Sequence, residues 1–436
     1  MRNSNYILVI LISIILLINI FPNFGSIKIH KNNSNEINNI YIKQKVHEII
    51  KTINESMIEN ILRELISIGP RMTSTYGCQK AGEYIINKFN KYNLSVEKRP
   101  WEDFGNKFNP GYYKSNNIIG TKQGLDKKDD EVIIFHAHYD TVKDSVGAND
   151  DGSGVVGVLA AAYALSKYDF NKTIKFVTFS GEEIGLCGSS YYAKEIYDEN
   201  LDILVAINAD MIGKSNTKEE GKKIRLSYSE DTEWIINAID KINKTNEKID
   251  IRVSEKYPYD RDSDKGYSDY FGLIRYGYES ISVWNSGNDP YANTPEDVFS
   301  NVNISYLVNT TRIIAATIAY LADNNNQPPK VTIGCPKKGK IYHQDKIIKN
   351  LKTDKTFVIN DIWIYPDIKI YNSDIKKIEF YYDGILQETI NDIPYAWHLN
   401  KNSIGKHKIE VKVYDTLGRT SIDQINIFNF NLLKTK

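Results

Sequence analysis

Residues 132–140 have the sequence VIIFHAHYD, and the expected architecture is built around them. The apolar run from Val132 to Phe135 shows no alternation, which is typical of a strand buried on both faces in a helix-covered parallel sheet. Two histidines and an aspartate follow at once. Because ligands bind beyond the carboxyl ends of such strands, this segment predicts a buried strand that delivers His138 and Asp140 to a functional edge.

Strand-like and helical patterns alternate along the chain on both sides of this segment. Short apolar runs predict further strands at residues 174–179, 203–207 and 281–284. Apolar residues at helical spacing predict helices at residues 42–69, 81–89, 155–165, 189–196, 232–242 and 306–321. This alternation predicts an α/β fold with a mainly parallel sheet and helices on both faces.

The beginning of the chain differs in composition from the rest. An apolar run, Tyr6 to Phe21, follows Arg2 and stops at Pro22. It is short for a membrane span and lacks a small-x-small cleavage site, so residues 1–25 are predicted to be either a signal peptide or an N-terminal membrane anchor. In both cases we expect an extracytoplasmic protein, secreted or anchored to the outer face of the cell membrane. The polar, Asn-rich residues 26–41 are interpreted as a tether.

A change of pattern after residue 322 predicts a second folded domain. Residues 323–329 have the composition of a linker, so the α/β domain is predicted to cover residues 42–322. From 330 to 436 apolar residues recur with period two, as in strands at 357–364, 378–382 and 385–390 around an Asp383-Gly384 hairpin turn. Several short strands in about 105 residues predict an all-β sandwich.

The overall composition excludes two classes of protein. Lysine and arginine together number 55, as do aspartate and glutamate, so there is no net basic field for binding nucleic acid. Hydrophobic residues make up 41% and charged residues 25%, which excludes a membrane protein with many spans; membrane contact is expected only through the N-terminal segment. The three cysteines lack C-x-x-C spacing, so the chemistry lies elsewhere.

Acidic residues follow several of the predicted strands. The first strand ends in HAHYD at 136–140, and the loop GANDDGSG follows at 147–154. Two later strands end in SGEE at 180–183 and NADM at 208–211. If the parallel sheet forms, five or six carboxylates meet at one edge, and no lysine or arginine lies in these motifs. Since an unpaired buried ion costs several kcal/mol, the cluster predicts bound divalent cations.

The residue types in these motifs suit zinc, with manganese or cobalt as substitutes, because His138 offers imidazole beside carboxylate oxygens. Asp150, Glu183 and Asp210 supply three negative charges and a hydroxide a fourth, which two divalent cations balance. Two ions about 3.5–4 Å apart activate water and stabilise the oxyanion formed when an amide is hydrolysed. Adjacent glutamates at a strand end point in different directions, so one of Glu182 and Glu183 can bind metal while the other moves the proton of water.

The motifs resemble, in order and spacing, those of the co-catalytic zinc aminopeptidases, metallopeptidase family twenty-eight, over residues 42 to 322. The opening segment Ile-Gly-Pro-Arg at 68–71 is also similar. The resemblance implies a zinc exopeptidase fold and an enzyme that removes N-terminal residues from peptides through a metal-activated water. Residue by residue, it implies His138 and Asp210 as ligands of the first metal, Asp150 as the bridging carboxylate, Glu183 as a ligand of the second metal, Glu182 as the general base and Asp140 as the acid that orients the histidine.

The second domain has a resemblance of its own. Residues 394–397, Pro-Tyr-Ala-Trp, followed by Gly-Lys-His at 405–407 and Asp-Thr-Leu-Gly at 415–418, are similar to the bacterial immunoglobulin-like modules appended to secreted enzymes. The resemblance implies contact with a surface or polymer, or positioning of the catalytic body.

The last metal ligand departs from the family pattern. The family has a histidine in a Tyr-His-Thr-Pro context, whereas residues 291–295 read Tyr-Ala-Asn-Thr-Pro, with Asn293 at the histidine position. An amide oxygen is a poorer zinc ligand than imidazole, so weaker binding of the second metal is expected. Residues 268–270, Ser-Asp-Tyr, likewise replace Ser-Asp-His. Three outcomes stay open: a two-metal site with an amide ligand, a one-metal hydrolase, or an inactive descendant.

Other interpretations compete with the metal site. Residues 152–157, GSGVVG, satisfy a dinucleotide-binding fingerprint, but no strand runs directly into them and a close-packed connection between loop and helix fits better. Ser153 lacks the strand-elbow context of a nucleophile. The charged stretch Asp260 to Asp264 is interpreted as a solvated insertion. Each motif residue alone fits an ordinary structural role, and only the joint order and spacing favour catalysis.

The sequence thus leads to a hypothesis with two alternatives. The hypothesis is an exported, zinc-dependent exopeptidase, an aminopeptidase acting on peptides. One alternative is another reaction of the wider clan, such as carboxypeptidase or glutaminyl cyclase chemistry. The other is a surface binding protein that kept the fold and lost turnover.

Overall fold

The computed structural model describes residues 31–125, 131–228, 232–246, 249–258, 267–323, 328–371, 373–416 and 418–432. Three predicted segments lie wholly or partly outside these residues: the signal peptide or anchor at 1–25, the insertion at Asp260 to Asp264, and the linker, of which 324–327 are not described. The described residues divide into two compact units at Gln44 and Lys45, and the two predicted folded domains belong to the second unit.

In the first unit the structure describes the beginning of helix α1, which spans Lys31–Thr52. The prediction placed the start of this helix at Ile42, which is too late, and residues 31–41 of the predicted tether are helical. Adding residues to a helix that already exists costs far less than starting one, so polar residues join it without an apolar pattern to announce them.

The predicted helix at 42–69 is also interrupted. Asn54 has extended backbone geometry, and its side chain accepts a hydrogen bond from the Met57 main-chain N–H at 3.0 Å. This is an N-cap, so a new helix, α2, begins at Glu55 and ends at Ile66.

The remaining described elements of the α/β domain confirm every predicted strand and helix and add strands at both sides of the sheet. In chain order they are α3 (Tyr76–Lys91), β1 (Ser95–Phe104), β2 (Tyr112–Lys122), β3 (Val132–His138), α4 (Gly152–Ser166), β4 (Thr173–Phe179), α5 (Cys187–Asp198), β5 (Ile203–Ala209), a 3₁₀ turn (Glu220–Lys222), β6 (Lys223–Tyr228), α6 (Glu233–Thr245), β7 (Arg252–Pro258), α7 (Tyr270–Arg275), β8 (Ser280–Asn285), a 3₁₀ turn (Phe299–Asn301) and α8 (Ile304–Asp323).

The eight strands form one mixed sheet in the order β1-β2-β4-β3-β5-β8-β6-β7. The central strands β4, β3, β5 and β8 are parallel, whereas β2 pairs antiparallel to β4 and β6 pairs antiparallel to β8. The predicted mainly parallel sheet is therefore confirmed at its centre. The antiparallel outer strands were missed because β1 is mostly exposed and charged and shows no apolar run.

Helices cover the sheet on both faces, as predicted. Every residue of β3 is buried, which is the reason its sequence shows no alternation. Val132 and Ile134 pack in a cluster with α5 and α7, and Phe135 faces α4 on the other side. Among the described helices α8 alone has the length and hydropathy to cross a membrane, but 72% of that window is buried, as in the core helix of a globular fold.

The second domain is a β-sandwich. Its strands are β9 (Lys330–Cys335), β10 (Lys340–His343), β11 (Lys346–Asn350), β12 (Thr356–Ile359), β13 (Ile362–Lys369), β14 (Ile375–Tyr382), β15 (Ile385–Ile390), β16 (Trp397–Leu399), β17 (Ser403–Asp415) and β18 (Thr420–Asn431). A seven-stranded sheet, β11-β10-β12-β18-β17-β14-β15, faces a three-stranded sheet, β16-β13-β9, across one apolar core. The predicted all-β sandwich is consistent with this arrangement.

Two details of the sandwich test the predictions. The hairpin turn at Asp383-Gly384 is confirmed, with φ of 51° and 75°, the left-handed geometry of a two-residue turn. The single strand predicted at 357–364 is wrong, because the chain leaves one sheet after β12 and enters the other at β13. Asn360, with φ of 68°, makes the corner; asparagine tolerates this geometry better than most residues.

The sandwich docks on the sheet edge where the parallel strands begin. Glu131, the residue before β3, is fully buried and accepts a hydrogen bond from the Tyr371 hydroxyl of the sandwich. The ammonium of Lys369 lies 3.2 Å from the Glu131 carboxylate, and that of the buried Lys172 lies 3.7 Å away.

A second group of charges joins the domains nearby. Asp202, just before β5, pairs with Lys330 at the start of β9 and lies 3.4 Å from the ammonium of Lys369. Among the described residues, the ion pairs between the two domains involve Glu131 and Asp202, at the edge where the parallel strands begin.

Candidate metal centre

Neighbouring parallel strands end at one level and bring their following residues to one edge. His138, the last residue of β3, pairs in register with Phe179, the last residue of β4, and the Ser-Gly-Glu-Glu segment follows. On the other side of β3, His136 pairs with Asn208 of β5, and Asp210 follows that strand. The predicted convergence of these motifs at one edge is therefore present in the fold.

The His138 imidazole lies between two of the predicted ligands. Its Nε2 is 3.3 Å from Oδ1 of Asp150 and 3.9 Å from Oδ1 of Asp210. Two ligand atoms on one tetrahedral zinc ion, each about 2.0–2.2 Å from the metal, lie about 3.3–3.6 Å apart. The Asp150 carboxylate therefore lies at this distance from the imidazole, and the Asp210 carboxylate lies slightly beyond it.

The other ring nitrogen of His138 faces Asp140. Nδ1 lies 3.2 Å from the Asp140 main-chain oxygen and 3.7 Å from its carboxylate, so the hydrogen bond goes to the main chain. The Asp140 carboxylate instead accepts from the Thr73 hydroxyl at 2.8 Å and from the main-chain N–H groups of Glu182 and Glu183 at 3.3 and 3.4 Å. Asp140 thus ties the histidine to the glutamate loop.

The loop that carries Asp150 is held by an acid from a distant part of the chain. The Asp297 carboxylate accepts hydrogen bonds from the main-chain N–H groups of Asn149 at 2.8 Å and Asp150 at 2.9 Å. Asp297 follows the segment 291–295, which departs from the family pattern, by two positions. Its structural task was not predicted, because 147 positions separate it from Asp150.

Asp151 lies as close to His138 and Asp210 as a metal ligand would, within 4.8 Å. Its oxygens are already engaged: they accept from the main-chain N–H groups of Gly154, Met211 and His138 at 2.9, 3.0 and 3.2 Å. We therefore assign Asp151 to positioning, as the N-cap of α4, and keep Asp150 as the candidate ligand.

The glycines after Asp151 also serve packing. A side chain at Gly154 would lie 2.2 Å from the Ala209 carbonyl oxygen, and one at Gly152 would lie 2.4 Å from that of Gly147. The predicted close-packed connection between loop and helix is confirmed, and close packing accounts for these glycines without dinucleotide binding.

Both glutamates of the Ser-Gly-Glu-Glu segment are close to the cluster. Burial raises the pKa of Glu182 well above its usual range, and the neighbouring carboxylates add to this effect. Burial and the charge of Asp150 raise the pKa of Glu183 to about 9, and Oε1 of Glu183 is buried without a hydrogen-bond partner among the described residues. An orphaned carboxylate oxygen beside other carboxylates is the environment that a cation satisfies.

The pKa shifts of the other residues in the cluster also indicate a site that a cation would stabilise. Burial lowers the pKa of His138, but Glu182, Asp140 and Asp150 raise it well above the usual range. Burial raises the pKa of Asp210 to about 6. Within the described part of the chain, no lysine or arginine forms an ion pair with the Asp150, Glu182, Glu183 or Asp210 carboxylates. The buried Arg71 is nearby, but its guanidinium donates to the main-chain oxygens of three residues, Tyr139, Val146 and Gly147.

The structure does not test Asn293 as a metal ligand. Asn293 is exposed, with a left-handed φ of 59°, and no described contact connects its side chain to His138 or the carboxylates. Its neighbour Tyr291, which could donate to an oxyanion, is half-buried under the ammonium of Lys214, 4.8 Å from the ring centroid. The assignment of Asn293 as a ligand stays a prediction.

Asp269, in the Ser-Asp-Tyr segment, was not assigned a role from the sequence. It is fully buried, and within the described chain neither carboxylate oxygen forms a hydrogen bond. Burial raises its pKa to about 7. A lone aspartate before a short helix carries no signal in the sequence that could have placed it beside the site.

Comparison with known proteins supports this interpretation of the site. Residues 117–318 match the model of peptidase family M28. Aminopeptidase YwaD of Bacillus subtilis (strain 168) is 30% identical over 224 residues, which cover 50% of this chain and 46% of that protein. Aminopeptidase Y of Saccharomyces cerevisiae is 28% identical over 235 residues, covering 50% of this chain and 41% of that protein. The chain thus spans less than half the length of either relative.

The fold has counterparts among solved structures. The aminopeptidase from Aneurinibacillus sp. strain AM-1 superposes with a TM-score of 0.54 at 17% identity, covering 64% of this chain and 96% of that one. At this identity the likeness concerns the fold alone. The match at 117–318 includes His138, Asp150, Glu183 and Asp210, and it confirms the predicted resemblance of this chain to peptidase family M28.

Proposed function

We propose that the protein is a zinc-dependent exopeptidase that removes amino-terminal residues from peptides. The observation that carries the proposal is the approach of the Asp150 and Asp210 carboxylates to Nε2 of His138, at 3.3 and 3.9 Å, together with the buried Oε1 of Glu183, which has no hydrogen-bond partner among the described residues. The names of the two relatives, both aminopeptidases, support the amino-terminal direction.

The residues present fit two divalent ions. His138 and Asp210 would hold the first ion, Glu183 the second, and Asp150 would bridge them, so that three carboxylates offset most of the metal charge. When bound, such ions polarise the scissile carbonyl and lower the pKa of water. Asn293 is proposed to complete the second site, and the count of two ions rests on the charge balance.

Glu182 is proposed as the general base. Its carboxylate would take a proton from the attacking water and give it to the leaving amine nitrogen. Asp140 fixes the main chain of this loop through the Glu182 and Glu183 N–H groups and thereby orients the base.

The proposal is tested by hydrolysis of amino-acid nitroanilides with and without a chelator. We expect chelation to abolish turnover and added zinc to restore it. Glu182→Gln should abolish turnover while metal content, measured by mass spectrometry, is kept. The matched control is Glu199→Gln, an exposed glutamate paired with Arg99, which should behave as wild type.

Each outcome has a distinct meaning. Hydrolysis that resists chelation would refute the metal mechanism. Bound metal without hydrolysis of any peptide would instead favour the surface binding protein, in which the fold persists without turnover. A metal content of one ion per chain would favour the one-metal hydrolase that the substitution at Asn293 suggests.

We also propose that the protein acts outside the cytoplasm, secreted or held by the N-terminal segment, and that the sandwich is an immunoglobulin-like module that contacts a surface or polymer. The apolar run at 6–21 and the motifs at 394–397 and 415–418 support these two points. N-terminal sequencing of secreted protein would distinguish a cleaved signal from an anchor.

A further inference from the structure

The hairpin of β1 and β2 presents three large aromatic side chains to solvent at its tip. Phe104 is 72% exposed, Phe108 78% and Tyr112 49%, and the rings of Phe104 and Tyr112 are in contact with centroids 5.1 Å apart. We call these three residues the aromatic lip. Clustered exposed apolar side chains mark a contact surface more often than isolated ones do.

The tip is fixed to the segment that carries the glutamates. The main-chain N–H of Asn106 donates to the Ile184 oxygen at 2.8 Å, and the Asn109 side chain donates to the Glu183 main-chain oxygen at 3.0 Å. Further along the hairpin, the Trp101 indole donates to the Ser180 hydroxyl at 3.1 Å. The lip is therefore a fixed border of the candidate metal centre.

Phe108 lies between the two anchoring asparagines. The Asn106 side-chain oxygen accepts from the main-chain N–H groups of Phe108 and Asn109, both at 2.9 Å, which closes a tight turn. The Lys107 ammonium is 4.8 Å from the Phe108 ring centroid, yet most of the ring stays exposed. The turn thus holds an aromatic ring outward beside the glutamate loop.

We propose that the aromatic lip binds an apolar or aromatic side chain immediately after the scissile bond of a peptide substrate. The proposal rests on the exopeptidase function proposed above. An aminopeptidase holds one residue on the amino side of the bond, and the rest of the peptide extends away from it. Because the lip is exposed and its turn is hydrogen-bonded to the main chain of Glu183 and Ile184, the lip is placed beside this extending part.

The experiment compares two peptides that differ after the scissile bond, Leu-Phe-Gly and Leu-Gly-Gly. We expect the wild type to prefer Leu-Phe-Gly in kcat/KM, and Phe108→Ala to reduce the ratio of the two values about tenfold, the effect of burying part of one aromatic ring. Phe108→Trp should keep the preference. The matched control is Tyr197→Ala, a tyrosine 56% exposed at the end of α5, which should leave the ratio unchanged.

A binding measurement separates this proposal from the proposed function. In the Glu182→Gln background, calorimetry should give an affinity for Leu-Phe-Gly that falls about tenfold when Phe108→Ala is added. If Phe108→Ala changes neither the ratio of the kcat/KM values nor the affinity for Leu-Phe-Gly, the proposed role of the aromatic lip is wrong. If binding shows the preference but the wild type hydrolyses neither peptide, the lip stands as a peptide-binding surface and the exopeptidase proposal fails.

Discussion

The two edges of the central sheet handle buried carboxylates in opposite ways. Where the parallel strands begin, Glu131 and Asp202 are neutralised by lysines, and part of that neutralisation comes from the sandwich domain. Where the strands end, Glu182, Glu183 and Asp210 are crowded together without an ion pair to lysine or arginine among the described residues.

The pKa values record this difference. Burial opposes ionisation of Asp202, but the hydrogen bond and charge of Lys330 outweigh it and lower its pKa below the ordinary value. Burial raises the pKa of Glu183 to about 9 because no such partner is present. At the edge where the strands begin, lysines of the protein neutralise the buried carboxylates. At the edge where the strands end, the carboxylates have no such partner, which is typical of a site that binds a ligand.

The largest effect on activity is expected from removing a negative charge at the second edge, where the parallel strands end. Asp210→Asn keeps the shape of the side chain but weakens metal binding, so kcat/KM should fall at least about 1,000-fold, equivalent to about 4 kcal/mol of barrier. Steady-state kinetics and metal analysis of the same sample test this. Asp198→Asn, at an exposed aspartate, is the control. Full activity with unchanged metal content would remove Asp210 from the site.

An intermediate effect, on stability, is expected from removing one partner of a buried ion pair at the first edge, where the parallel strands begin. Lys172→Met leaves the buried Glu131 with one fewer cation, and breaking such a pair costs about 3 kcal/mol of unfolding free energy. Urea unfolding measures it, and metal content should not change. Lys194→Met breaks the exposed pair with Asp198 and should cost less than about 1 kcal/mol. Equal effects of the two variants would show that burial of the pair does not matter.

The smallest effect concerns pH. The pKa of Glu183, about 9, and that of Asp210, about 6, exceed those of the same groups in an unfolded chain. Folding therefore takes up protons, and the stability of metal-free protein falls as pH rises from about 4 to 9. We expect the Tm of chelated protein to be about 4 °C lower at pH 8 than at pH 5, and zinc to remove most of the difference. A metal-free Tm that rises over this interval would contradict the assignment of unpaired carboxylates.

The two edges also differ in how far the sequence predicts them. At the second edge, where the parallel strands end, the convergence of three motifs was predicted, because HAHYD, SGEE and NADM lie at or directly after the ends of their strands and a parallel sheet brings the strand ends together. The first edge was not predicted, because Glu131 and Tyr371 are 240 positions apart and nothing near either residue indicates the other. Asp297 was missed as a support of the Asp150 loop for the same reason.

Local geometry accounts for the remaining differences. The break between α1 and α2 depends on the single cap Asn54, and the change of sheet at Asn360 depends on one left-handed residue. Both are asparagines in segments whose apolar pattern continues through them. Periodicity therefore indicates the type of an element more securely than the place where it ends.

Strand β3 connects the two edges, since Glu131 precedes it and His138 is its last residue. Side chains alternate between the faces of a strand, so inserting or deleting one residue within these seven would turn the imidazole away from Asp150 while the carboxylate at the other end stayed in place. We therefore expect changes of chain length to be tolerated in the loops but not in this strand, which sets the distance from the docked sandwich to the candidate metal centre.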